Sequence, residues 1–125
     1  MGYSLGDDKN SFDVFEETNQ VLDKIGNKLI EEGWIYNSKK YYFTKGNRIL
    51  NLETSQDHVS DLYISDSSID YEKFCKKNPE YEIIHDSDDS IWGVCLYVSK
   101  NTDINKIVRN IEYAPLKDKN KDFGL

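Results

Sequence analysis

The sequence predicts an α+β fold: a single antiparallel sheet of about six strands, with helices packed mainly on one face and elements in the order α-β-β-β-β-α-β-β-α. Two observations carry this reading. Apolar residues recur at three- and four-residue steps near both ends of the chain, and between those segments short runs of aromatic and β-branched residues alternate with Gly/Asn/Ser punctuation. The turns between the first runs are too short to hold crossover helices, so sequence neighbours pair antiparallel. With 125 residues, 38% hydrophobic and 13% aromatic, the chain is long and apolar enough for one core without disulfides or metals.

From Ser11 to Glu32, Val14, Thr18, Val21, Ile25 and Leu29 form the stripe of an amphipathic helix, widened by Phe15, Leu22 and Ile30. Ser11 or Asp13 is the expected cap, and Gly33 the left-handed stop. Gly26 weakens the middle of this helix by about 1 kcal/mol relative to Ala. The period then changes to two. Trp34–Tyr36, Tyr41–Thr44, Arg48–Glu53 and His58–Ile64 read as four strands of a meander. Ser67 and Ser68 open a short helix through Lys77, with Asp70 in the position of a capping-box acid and Asn78-Pro79 as the stop. Tyr81–His85 is a strand and Asp86–Asp89 its turn. Ser90–Ser99 is apolar on both faces, with Trp92, Val94, Leu96 and Val98 on one and Ile91, Gly93, Cys95 and Tyr97 on the other, which predicts the central strand. Asn101 or Thr102 caps a last helix carrying Ile104, Ile107, Val108 and Ile111, and Pro115 ends it. Residues 1–10 read as a flexible leader, 11–115 as the domain, and 116–125 as a charged flexible tail.

Net charge is −7 and unevenly placed: residues 53–103 hold twelve acids against four bases, while each end is near neutral. An acidic surface repels phosphate backbones and attracts basic proteins, so the expected partner is a basic protein and not nucleic acid. The aromatics Tyr36, Tyr41, Tyr42 and Phe43 and the bases Lys39, Lys40, Lys45 and Arg48 interleave as in single-strand binders, against the charge of the whole domain. No apolar run spans a bilayer, and the N-terminal residues lack an export signal, so the expected location is the cytoplasm, with no membrane association.

Catalytic and metal signals are weak. Asp86-x-Asp88-x-Ser90 copies the start of an EF-hand loop, but Ile91 stands where Gly is required and Tyr97 where the bidentate Glu belongs. Cys75, Cys95, His58 and His85 have no paired short spacing for zinc, and neither cysteine has an activating context. The carboxylate–lysine triplet Asp7-Asp8-Lys9 sits in the leader, and no glycine pair makes a phosphate loop. The expectation is no cofactor, no metal and no catalysis.

In size, acidity and α+β character the chain resembles bacterial immunity proteins, although no residue motif carries the likeness. That resemblance implies a non-enzymatic inhibitor of a basic toxin or nucleic-acid enzyme, more readily monomeric than dimeric. The candidate partner-binding residues are Asp57, Asp61, Asp66, Asp86, Asp88 and Asp89, placed in solvent-facing loops, turns or strand positions, with Trp92 or a loop tyrosine as an anchor. A dimeric, secretion-chaperone-like client binder is the rival class, and a hydrolase of unrecognised type the last.

Overall fold

The computed structural model describes residues 10–117. Helix α1 (Ser11–Glu31) is followed by strands β1 (Ile35–Asn37), β2 (Tyr42–Lys45), β3 (Arg48–Thr54) and β4 (Asp61–Ser65). Helix α2 (Tyr71–Lys77), strands β5 (Glu82–His85) and β6 (Ile91–Tyr97), and helix α3 (Ile104–Glu112) follow in the expected order. All strands join one antiparallel sheet in the order β1-β2-β3-β4-β6-β5. β6 is therefore interior but not central. It returns beside β4 and carries β5 on its outer side, which leaves β3 and β4 in the middle.

The helices form a single layer: α1 lies on β3 and β4, α2 on β5 and β6, and α3 against α1. Beneath them Leu50, Leu62, Ile64 and Val94 meet Ile25, Leu29, Phe74 and Ile111, none of which retains exposed surface. At roughly 2 kcal/mol per fully buried aliphatic side chain, this layer supplies the main drive to fold. Gly26 has its explanation here, because a Cβ at that position would stand 3.0 Å from Phe43 Cζ. The glycine lets helix and sheet approach closely, which offsets its cost to the helix.

Each helix start falls on an Asx residue other than the one expected. Asn10 caps α1 by accepting the Asp13 N–H at 2.9 Å, Asp70 caps α2 through the Lys73 N–H at 3.2 Å, and Asp103 caps α3 through the Lys106 N–H at 3.1 Å. Their short carbonyl or carboxylate arms satisfy donors that have no intrahelical acceptor. Gly33 has φ +102° and ends α1 in the left-handed region, as its position predicts. The expected leader lies outside the described residues except for Asn10, the α1 cap. The expected tail also lies outside them from residue 118. Leu116 and Lys117, assigned to it, instead belong to the fold: Leu116 bridges Ile69, and the Lys117 N–H donates to Ser68 O at 2.9 Å. Among the described residues no helix is long and apolar enough to cross a membrane.

Candidate partner-binding face

With α1, α2 and α3 on one side, no helix among the described residues covers the other face of the sheet. Strand alternation decides what it displays. Glu53 pairs with Tyr63, Tyr63 with Cys95, and Cys95 with Glu82, so these four side chains form one row across β3, β4, β6 and β5. Asp61 and Tyr97 pair in the next row, and Tyr97 is 71% exposed.

Trp92 joins this face through a break in the pairing. His85 pairs with Ile91 and Ile84 with Gly93, leaving Trp92 as the extra residue of a β-bulge. Simple alternation puts Trp92 with Val94 on the core side and Ile91 on the opposite side. The bulge reverses both: Ile91 packs against the core, while the Trp92 ring meets Tyr63 on the open face, edge to face at 73° and 6.2 Å between centroids. The neighbouring Gly93 is required by the same crowding, since a Cβ there would collide with the Ile64 carbonyl oxygen. Ser65 Oγ donates to Trp92 O at 3.1 Å and pins the bulge to β4.

A shallow hollow of about 300 Å³ opens between the end of β3 and the β5–β6 turn, walled by Tyr63, Trp92 and Ile84 and edged by Glu53 and Asp86. Acids crowd this region. Partial burial pushes the Tyr63 hydroxyl pKa up, and Asp61, Cys95 and Asp57 add to the rise. Burial likewise raises the Cys95 thiol, followed by Asp61 and Glu82, so the protonated thiol is favoured. Cys75 sits half-buried on α2, and desolvation raises its pKa too. The two cysteines are unbridged. No lysine or arginine occurs in residues 49–72 or 78–99, so β4, β5 and β6 carry neither.

The sequence candidates divide accordingly. Asp57, Asp61, Asp86 and Trp92 gather around Tyr63. Asp88 and Asp89 extend the same acidic edge at the tip of the β5–β6 turn, where the Ser90 hydroxyl (2.6 Å) and N–H (3.1 Å) hold the Asp88 carboxyl below its ordinary pKa. Asp89 closes the turn with φ 66°. Asp66 does not belong to this set and does not face solvent. Its side chain is fully buried, pairs with Arg48 Nε at 2.9 Å and accepts the Ser68 N–H at 2.9 Å. It holds the β4–α2 connection and shapes no surface. Glu53, Tyr63 and Glu82 belong to the site, yet only the strand register reveals them, and a single sequence does not contain that register.

In the mixed basic and aromatic patch on the first hairpin, Lys45 and Arg48 are engaged within the fold. Lys45 Nζ binds Glu112 Oε2 at 3.0 Å and Glu32 O at 2.8 Å, and the Arg48 guanidinium lies 5.0 Å above the Trp34 ring. Both cations are thus committed to holding β2 and β3 against the helix ends. A second concavity, about 450 Å³, lies between α1 and the β1–β2 hairpin, with Ile30, Tyr36 and Tyr41 on its rim. Among the described residues no group of three or more His, Cys, Asp or Glu side chains is placed to hold a metal ion. No family model, curated protein or solved structure matches the chain.

Proposed function

We propose that this protein is a non-enzymatic binding domain of the inhibitor or immunity kind, which docks a basic partner protein on the open face of its sheet. The observation that carries the reading is the Glu53–Tyr63–Cys95–Glu82 row with Trp92 turned onto it, an aromatic centre framed by acids, with neither lysine nor arginine on β4, β5 or β6. Such a surface supports recognition in two ways. Half-exposed aromatic rings supply apolar area at little entropic cost, and unpaired carboxylates steer a cationic partner into register. A nuclease toxin or another nucleic-acid enzyme, whose cleft must be positive to hold phosphate, fits this description.

The test is a footprint. The protein is used to capture a partner, the partner is purified, and amide hydrogen exchange is compared in the free and bound chain. Protection over β4, β6 and the 86–90 turn is the supporting result. Protection confined to α1 and the β1–β2 hairpin contradicts it. That second pattern belongs to the rival reading of a dimeric, chaperone-like client binder, favoured by the exposed rim of the α1 cleft, where Tyr41 is 73% and Ile30 49% exposed. Sedimentation adds an independent check, with a monomer expected for the inhibitor and an obligate dimer for the chaperone.

A further inference from the structure

The hollow at the centre of the open face has a chemistry more specific than acidity. Two of its walls are aromatic, Tyr63 and Trp92, whose rings meet edge to face at 73°; Ile84 adds an aliphatic wall. Its edge carries two carboxylates, Glu53 and Asp86. Neither has a cationic partner: the ion pairs among the described residues link Lys28 to Glu32, Lys45 to Glu112, Arg48 to Asp66 and Lys106 to Glu80. We infer that this hollow is the seat of a single arginine side chain of the partner, its guanidinium stacked on Trp92 or Tyr63 and hydrogen-bonded to Glu53 and Asp86.

The alternatives fit less well on physical grounds. A neutral aliphatic side chain would cover the two carboxylates without satisfying them, which costs free energy. A lysine ammonium is more strongly hydrated, and as a compact charge it cannot stack on a ring while pairing edge-on with a carboxylate. A guanidinium does both: its flat faces suit aromatic rings and its edge donors suit acids. The chain already shows this pairing internally, where Arg48 lies over Trp34 and binds Asp66. The volume of about 300 Å³ is enough for one such side chain.

This inference rests on the open-face reading, and its test separates the two. The probe is N-acetyl-arginine amide, titrated at low salt into the full chain and followed by amide and indole NMR shifts. The controls are N-acetyl-citrulline amide, which keeps the shape without the charge, and N-acetyl-lysine amide. The expected result is a saturable set of shifts centred on Tyr63, Ile84, Asp86 and the Trp92 indole, weaker with lysine and lost with citrulline. Trp92→Ala, and separately Glu53→Gln with Asp86→Asn, should each weaken arginine binding about tenfold. The paired surface substitutions guard against a folding defect in the tryptophan variant. Equal binding of citrulline, or shifts spread over the acidic surface without saturation, would overturn the assignment. A negative arginine titration alongside a partner footprint on β4 and β6 removes the pocket assignment alone. A footprint elsewhere removes the open-face reading as well.

Discussion

Arg48 Nε lies 2.9 Å from Asp66 Oδ2 on the helix-covered side of the molecule, with the Asp66 side chain fully shut off from solvent. One acid of the chain is thus spent on holding β3 to the β4–α2 connection. Removing a single partner strands the other charge in a low-dielectric site, so Asp66→Ala should cost about 3–5 kcal/mol in urea unfolding. Lys106→Ala, which breaks a solvent-exposed pair with Glu80, should cost less than about 1 kcal/mol. Similar losses from the two variants would contradict this distinction.

Gly93 and Gly26 sit at close approaches of different hardness. At Gly93 the obstacle is the backbone carbonyl of Ile64, which cannot move without tearing the β4–β6 ladder. Gly93→Ala should cost at least about 2 kcal/mol and disturb the Trp92 environment. At Gly26 the obstacle is the Phe43 ring, and alanine also gains about 1 kcal/mol of helix propensity. Gly26→Ala should therefore change stability by less than about 1 kcal/mol. Thermal unfolding of both variants decides the matter.

Tyr41 holds φ 60° while the residue is 73% exposed. A bulky side chain in the left-handed region costs about 1–2 kcal/mol, and here little burial offsets it. Tyr41→Gly should raise the thermal midpoint by a few degrees. A lower midpoint would show that the ring contributes packing beyond its exposed position.

Burial pushes the Tyr81 hydroxyl pKa up to about 12, the largest cause, while the hydrogen bond from Asn110 opposes it. The unfolded chain releases this proton near pH 10 and the folded chain near 12, so between those values the folded state binds the extra proton. Stability is held below about pH 10 and falls as pH rises towards 12, by roughly 2–3 kcal/mol from this group. Urea unfolding across that range should show the decline, and Tyr81→Phe should make it shallower.

The sequence reveals periodicity more readily than pairing. The helix stripe at Val21, Ile25 and Leu29 and the alternation at Leu50 and Leu52 are visible because burial repeats at 3.6 and 2 residues. The caps shift to Asn10, Asp70 and Asp103 because several polar residues precede each helix and local geometry chooses among them. The candidate site is legible only in part. Asp57, Asp61, Asp86 and Trp92 stand out by composition, but the bulge that reverses Ile91 and Trp92 depends on how β5 meets β6. Asp66 looks like any loop acid until Arg48, eighteen residues earlier, is seen beside it.

The central claim is that carboxylates on the open face steer a basic partner onto an aromatic centre. Its most direct test is the association rate constant of the purified partner, measured across a salt series for the native chain and for a variant combining Glu53→Gln, Asp61→Asn and Asp86→Asn. The native rate should fall steeply with ionic strength, as screening shortens the reach of the acids. The variant should associate about tenfold more slowly at low salt, with a flattened salt dependence and unchanged folding. Association indifferent to both salt and these three substitutions would contradict the account.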